Sequence, residues 1–325
     1  TLEYFGSQGV DIKIISGDNP STVGAIAREV GLDPGEPVDA REMGDDPSDI
    51  ATAVRNATVF GRVSPHQKRA MVKALQQDNH VVAMTGDGVN DALALKDADI
   101  GVAMGNGAPA TRAIAQLVLL DGRFESLPVV LGEGRRVIGN IERVASLFVA
   151  KNTYSFLLVL LVSIAGLPFP FLPRHLTLIS SVTIGIPAFV LALGPNPQRY
   201  RPGFLRRVLS FAIPSGAITG VAIFATYALT TYEDYLIDQR RTAATIAALV
   251  VALWIIAVLA RPYAPWKLLL VGSMAAIASL AVVVPFVRDF FEFDVPVTML
   301  PQALAIGAAG AFGVELVFRV TSRYR

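Results

Sequence analysis

Six long apolar runs fill the second half of the chain and constrain its fold more than any other feature. They cover residues 145–167, 175–194, 209–230, 243–260, 267–287 and 297–318. A helix that crosses a bilayer needs about 20 mostly apolar residues, because lipid offers no partner to an unpaired backbone N–H or C=O. A buried helix of a globular domain rarely reaches that length. Six such runs in succession therefore point to six membrane-spanning helices over residues 145–325. The average composition, 53% apolar, hides this division.

Residues 1 to about 143 have a different character. They carry most of the acidic residues, and Lys151 and Lys267 are the only lysines beyond them. Residues 10–15 alternate with period two and stop at Gly17, which reads as a strand. Residues 20–30 read as a helix opened by Pro20 and ended by Gly31. The stretch 33–49 is rich in Asp and Pro and reads as a loop. A short strand at 58–60 and a helix over 65–75 follow. Residues 80–84 read as a buried central strand and 92–96 as a helix. Strands at 100–104 and 117–120 flank a helix at 108–115. Alternating strands and helices imply a parallel, doubly wound sheet. A charged helix at 126–144 then runs into the first apolar run without a stop signal, and reads as a stalk.

Formal net charge is +1, which gives no sign of a nucleic-acid surface. The absence of cysteine excludes disulfides and thiolate metal sites in this chain. No signal peptide precedes the first strand, and the expectation is a fragment that begins inside a cytoplasmic domain. Arg199, Arg201, Arg206, Arg207, Arg261 and Lys267 follow the second and fourth runs, and Arg319, Arg323 and Arg325 follow the sixth. The opposite loops mix Arg174, Arg240, Arg241 and Arg288 with Glu233, Asp234, Asp238, Asp289, Glu292 and Asp294. The positive-inside rule puts residues 1–144 and the C-terminus on the cytoplasmic side. Glu315 lies inside the sixth run with Arg319 four residues on, which suggests a helix-end ion pair.

The most specific string is Met84-Thr85-Gly86-Asp87-Gly88-Val89-Asn90-Asp91. It sets two carboxylates on a glycine-rich turn at the carboxyl end of a strand, the edge where open α/β sheets collect ligands. Glycines let backbone approach an anion, and carboxylate oxygens suit Mg²⁺. A bare Gly-Asp-Gly would read as an ordinary capped turn, but the eight-residue string is far more selective. Two further strings keep it company: Ser16-Gly17-Asp18-Asn19, and Phe60-Gly61-Arg62-Val63-Ser64-Pro65-His66-Gln67-Lys68.

Together, and in this order, the three strings resemble the motifs of P-type cation-transporting ATPases, calcium- and proton-pump branch. The resemblance covers nearly the whole chain. It implies a partial α/β haloacid-dehalogenase-like phosphorylation domain over 1–125, a stalk over 126–144, and an all-α bundle of six transmembrane helices over 145–325. It implies Mg²⁺ and ATP as cofactors. Asp87 would bind Mg²⁺ with Asp91 in support, and Lys68 would contact the transferred phosphoryl group. Ser16, Gly17 and Asn90 would donate to its oxygens, with Asp18 and Arg62 near the nucleotide. Taken singly, Lys68 reads as a solvated helix lysine and Arg62 as half of a surface ion pair.

The sequence departs from the family in one decisive way. The family's nucleophile is the Asp of an Asp-Lys-Thr-Gly-Thr motif, and no such string is present. This implies the C-terminal portion of a plasma-membrane pump, partnered by an N-terminal portion of the same protein, by the bilayer and by a transported cation. The chain alone would not turn over ATP. Two other readings compete with this one. The first is a truncated, non-catalytic membrane protein with a Mg²⁺- or nucleotide-binding domain. The second is a phosphatase of the same superfamily on a membrane anchor.

In the membrane part, Leu167-Pro168 and Pro187 align with prolines of calcium pumps. On that alignment Asn152 and Thr183 stand where such pumps keep ligands, while Ser155, Ser180 and Ile184 replace a Glu, an Asn and an Asp. A two-calcium site is therefore not expected from these residues, because divalent ions favour carboxylates. Gly185 and Pro187 suggest an unwound helix whose carbonyls ligate an ion. Lys151 has two readings. It snorkels to the interface, or it serves as an internal cation, as the Lys-Asn pair of the gastric proton/potassium pump does.

Overall fold

A computed structural model describes residues 1–44, 46–195, 201, 203–233, 235–295 and 297–322. Arg199, Asp234, Arg323 and Arg325, four of the charges used for orientation, lie outside the described residues. The chain divides into two compact units, Thr1–Gly132 and Glu133–Arg325.

In chain order the first unit holds α1 (Leu2–Ser7), β1 (Ile14–Ile15), α2 (Pro20–Glu29), β2 (Val38–Asp39), α3 (Pro47–Asn56), β3 (Val59–Gly61) and α4 (Pro65–Gln77). It continues with β4 (Ala83–Gly86), α5 (Ala92–Asp97), β5 (Ile100–Met104), α6 (Pro109–Ile114) and β6 (Leu117–Leu119). All strand pairs are parallel, but they form two three-stranded sheets, β1-β3-β2 and β4-β5-β6, rather than one. Among the described residues no strand pairs with both β1 and β4. Helix α4 joins the two halves instead. Its Met71 and Ala74 pack with Phe60, Val63 and Ile50. Its Val72 packs with Val82, Met84 and Leu95.

Three local expectations need correction. The strand expected at 10–15 is confined to Ile14 and Ile15, because the Val10 amide turns back to the Phe5 carbonyl. The central strand begins at Ala83, not at 80. The Val82 amide is taken by the Asp99 carboxylate at 2.8 Å, and Val81 is 81% exposed. The loop expected over 33–49 contains β2 and the start of α3. Pro47 opens that helix at a position where a missing N–H costs nothing, and Ile50 and Val54 bury its inner face.

The second unit is built from helices. α7 (Leu127–Ala165) runs unbroken through the expected stalk and first span, and Gly166 at φ +65° ends it in the left-handed region. α8 (Pro173–Ser180), a π-helical segment Ser181–Gly185 and α9 (Ile186–Leu193) form the second span. The other spans are α10 (Phe204–Tyr232), α11 (Ile237–Leu259), α12 (Pro265–Val283, followed by the short α13, Pro285–Phe290) and α14 (Leu300–Ser322). All six spans are long and apolar enough to cross a membrane. The expected unwinding near Gly185 is not what the structure shows. The helix widens into a π turn and continues.

α10, α11 and α14 pack against one another, and α11 is the most deeply buried of the spans. Close approach depends on small residues, as membrane helix pairs require where no hydrophobic force acts between them. A Cβ on Gly216 of α10 would stand 2.5 Å from the Ala150 carbonyl oxygen of α7, and one on Gly310 of α14 would stand 2.8 Å from Val251. The polar ends of the spans fall into two sets. Glu142 pairs with Arg207, and Glu315 with Arg261 and Arg319. At the other ends Arg174 pairs with Glu292, and Gln239 bonds Asp294.

Gly216→Val should lower the stability of the detergent-solubilised protein by about 1–3 kcal/mol, the range for overpacking, because a backbone carbonyl cannot step aside. Gly272→Val, with nothing within 4 Å of its Cβ position, should stay within about 0.5 kcal/mol of the parent. Thermal unfolding followed by size-exclusion chromatography checks both, and equal melting temperatures would contradict the packing described.

Candidate functional site

The eight-residue string forms the end of β4, the loop after it and a 3₁₀ turn, Val89–Asp91, that leads into α5. Asp91 is buried and both of its oxygens are engaged. Oδ1 accepts from Lys68 Nζ at 2.6 Å, and Oδ2 accepts from the Gly88 amide at 3.3 Å. Lys68 is buried as well, on the first turn of α4. Ser64 sets that turn. Its hydroxyl accepts from the Gln67 amide, Gln67 Oε1 accepts from the Ser64 amide in return, and Pro65 follows as the first helical residue.

The glycine at 86 has a steric cause. A Cβ there would lie 2.6 Å from the Asp91 side chain. Asp87 is exposed, and its carboxylate has no hydrogen bond or ion pair among the described residues. Its backbone is braced from the next loop, since the Ala108 amide donates to the Asp87 carbonyl at 2.8 Å. The fully buried Thr111 donates to the Gly88 carbonyl at 2.9 Å. Asn90 is exposed beside them.

The second string makes its own loop. The Ser16 hydroxyl donates to Asp18 Oδ2 at 3.0 Å and accepts from the Asp18 amide at 3.1 Å. Gly17 and Asp18 are exposed. The Arg62 amide donates to the Asp18 carbonyl at 2.7 Å, and a Cβ on Gly61 would collide with Asp18 and Pro20. Arg62 sits at φ +55°, which non-glycine residues seldom adopt, and its guanidinium pairs with Asp39 at 3.0 Å. The structure thus assembles Lys68, Asp87, Asn90 and Asp91 on one side, and Ser16, Gly17, Asp18 and Arg62 on the other. No hydrogen bond or ion pair links the two groups among the described residues. Asp39, Thr111 and Ala108 were not foreseen. The Gly105-Asn106-Gly107 turn was the one signal for a second loop packed on Asp87, because Gly107 has room for no Cβ beside the Asp87 carbonyl.

Behind this site Asp97 receives the Arg69 guanidinium, which holds its carboxyl below the usual carboxylate range, with help from Lys73. Asp99 is likewise lowered, first by the Val82 amide. No group of three or more His, Cys, Asp or Glu side chains gathers to hold a metal among the described residues.

In the membrane unit Lys151 and Thr183 line one narrow cavity of about 10 Å³, walled by Leu147, Tyr154, Ile184 and Ile255. That is about the least space a water molecule needs. Thr183 is buried and donates back to the Ile179 carbonyl at 2.7 Å. Asn152 is exposed, Ser155 and Ser180 are half-buried, and none of the three lines that cavity.

A family model for haloacid dehalogenase-like hydrolases matches residues 1–99. Calcium-transporting ATPase CtpE of Mycolicibacterium smegmatis is 50% identical over 340 residues, covering 99% of this chain and 43% of that protein. The probable cation-transporting ATPase exp7 of Streptococcus pneumoniae is 34% identical over 337 residues, covering 100% of this chain and 42% of the relative. The chain belongs to the P-type cation-transporting ATPases. It spans less than half the length of these relatives. Among solved structures, the catalytic domain of the CPx-ATPase CopB-B is 28% identical over 40% of this chain and 42% of its own, with a TM-score of 0.31.

Family membership agrees with an α/β haloacid-dehalogenase-like unit followed by six helices able to span a membrane. The P-type ATPases are ion-translocating ATP hydrolases. A non-catalytic membrane protein is not favoured, because the relatives match through both units.

Lys68→Met should destabilise the first unit by about 3 kcal/mol, since it strands a buried carboxylate. Lys68→Met combined with Asp91→Leu should recover part of that loss, because no charge is then left unpaired. Pulse proteolysis of residues 1–132 within the intact protein reads both. A double variant no more stable than the single would show that the pair is not the tie described here.

Proposed function

We propose that this chain is the C-terminal portion of an ATP-driven cation pump that couples formation and hydrolysis of an aspartyl phosphate to ion transport. The observation that carries the reading is the exposed, unpartnered Asp87 carboxylate beside the buried Lys68–Asp91 pair at the carboxyl end of β4. Phosphoryl transfer asks a protein for positioning and charge cancellation more than for covalent chemistry. This loop supplies both.

Lys68 is an ammonium with three donors, of which Asp91 takes one. The other two remain for oxygens of a phosphoryl group. Asp91 fixes the position of Lys68 Nζ. Asp87 and Asp91 are the candidate Mg²⁺ ligands, with Asp87 the more available because both Asp91 oxygens are already bonded. Mg²⁺ commonly binds through one or two carboxylates together with substrate phosphates and water, so this sparse donor set fits it. When bound it would offset phosphate charge. Ser16, Gly17, Asp18 and Arg62 would form the opposite wall, towards ATP. Ser16 must turn its hydroxyl from Asp18 to donate to phosphate, and Asn90 is exposed for the same task. The nucleophile would come from the N-terminal portion. A strand added between β1 and β4 would set its carboxyl end between the two loops.

The six helices would place the protein in the plasma membrane as a multi-pass protein, with residues 1–144 and the C-terminus cytoplasmic. The names of the relatives favour calcium as cargo. Asn152, Ser155, Ser180 and Thr183, with the carbonyls of the π segment, would give a cation neutral oxygens, and an acid would have to come from an upstream span. Lys151 would either occupy part of this site as an internal cation or reach the interface. Its place beside Thr183 in a small, mostly apolar cavity supports the internal role.

Asp87→Asn in the full-length pump should reduce Mg²⁺-dependent phosphoenzyme formation from γ-labelled ATP at least about a hundredfold, as expected when an anionic Mg²⁺ ligand is lost. Unchanged labelling would remove Asp87 from the site. Lys151→Ser should alter the charge moved per ATP hydrolysed in reconstituted vesicles, or make return depend on an external cation. Equal currents per ATP, with equal dependence on that cation, would leave Lys151 an interfacial residue.

A further inference from the structure

A cavity of about 470 Å³ opens at one end of the helix bundle, away from the narrow cavity that holds Lys151. It lies where the N-terminal half of α7, the start of α10 with Arg201 before it, the last turn of α11 with Arg261 and Pro262 after it, and the end of α14 converge. Its charged lining is Arg135, Arg143, Arg201, Arg207 and Arg261 against a single carboxylate, Glu142. The rest of the wall is largely apolar, with Leu259 and Phe318 prominent.

Two of these arginines are locked in place. Glu142 accepts from Arg207 Nε at 3.1 Å and from Nη2 at 2.9 Å. Glu315, which pairs with Arg319 as the sequence suggested, also accepts two bonds from Arg261, at 3.2 and 2.9 Å. Arg261 lies over the Phe318 ring, 5.0 Å from its centre. Arg143 is different. It is only 8% exposed, it donates to Asn140 Oδ1 at 3.2 Å, and among the described residues no carboxylate lies within 4 Å of it. A buried guanidinium with no carboxylate in direct contact is costly, although Glu142, next to it in the chain and in the same lining, attracts it from a distance. An anion in the cavity would offset that cost, since five arginines face a single carboxylate there.

We propose that this cavity binds the phosphate headgroup of an anionic phospholipid. The guanidiniums are suited to phosphate oxygens, which they meet in bidentate fashion. The apolar wall and the position at the ends of membrane-spanning helices suit a glycerol backbone with its acyl chains leading away along the bundle. Basic pockets between transmembrane helices recognise such headgroups by this combination. The volume lies within the range of sites that enclose a small ligand. The lipid would tie α7, through Arg143, to the segment that precedes α10, through Arg201, and to the one that follows α11, through Arg261. The inference rests on the helices spanning a membrane and does not depend on which ion is moved.

The test uses the intact protein, solubilised in mild detergent, stripped of lipid and titrated with phosphatidylglycerol or phosphatidylcholine of the same chain length. Native mass spectrometry reads the bound lipid. Phosphatidylglycerol should bind at least about fivefold more tightly, and Arg143→Gln and Arg201→Gln should each weaken it about fivefold, the effect of one cationic contact at a membrane surface. Phosphatidylcholine binding should not change. Arg206→Gln removes a charge from the same end of the bundle but not from the cavity lining, and should bind as the parent does. Arg201 is exposed, so its variant reports even if loss of the buried Arg143 impairs folding. Equal affinity for the two lipids would overturn the proposal. So would unchanged affinity in the cavity variants, or displacement of phosphatidylglycerol by inorganic phosphate at matched concentration, which would make this a site for a free anion.

Discussion

The buried ion pair between Lys68 and Asp91 is the contact on which the first unit depends. It joins the start of α4 to the turn before α5, and those are the elements through which the two sheets are held together. Its geometry dictates the residues around it. Gly86 has no side chain because Asp91 lies against it, and the Gly88 amide is drawn to the second carboxylate oxygen. An ion pair this well enclosed is weak as a source of stability, because desolvating both charges offsets most of the attraction. Its use is to specify position. With Lys68 fixed and Asp91 occupied, Asp87 is the carboxylate left facing solvent, and the proposed Mg²⁺ role rests on that inequality between two neighbouring aspartates.

The second unit answers to a different constraint. In lipid the backbone must satisfy itself, and helix ends must find partners at the water boundary. α9 shows how this is done. Its terminal carbonyls at Ala192, Leu193 and Gly194 accept from Asn140 and Arg136 of α7. Those side chains sit where the negative end of the helix dipole favours donors and positive charge. The same end of the bundle gathers the arginines of the cavity, so the residues that orient the helices also create a strongly cationic recess.

Much of this was legible in the sequence because it rests on local pattern. Span length, the run of α7 through the stalk and the helix opened at Pro65 all follow from periodicity and capping residues. The Asp87 loop was legible because glycines and carboxylates recur in one short string. What was missed depends on residues far apart. Asp39 reaches Arg62 across 23 positions, and nothing in the composition of 33–49 marks it. α3 was hidden because Pro47 and its acidic neighbours look like a loop, although Ile50 and Val54 carry a helical spacing. Val81 belongs to a continuous apolar run that predicts burial, yet it is exposed, because the ladder starts two residues later. The arginine recess draws on four helices and cannot be read from any one of them.

The second span shows how a wrong expectation still located the right feature. Gly185 and Pro187 suggested a helix broken open, with free carbonyls. Pro187 has no N–H, so the Thr183 carbonyl loses the donor an α-helix would give it. A break would leave further groups unpaired in lipid, where each costs several kcal/mol. A π turn over Ser181–Gly185 absorbs the mismatch while keeping the chain helical. The widened turn presents Thr183 and Ile184 to the cavity shared with Lys151. Where an acid at 184 would bring charge, the isoleucine brings none, so Lys151 of α7 is the only ionisable amine or acid lining that space among the described residues. On the proposed pump reading, ion recognition there would be built around Lys151, or around groups that other parts of the protein bring to it.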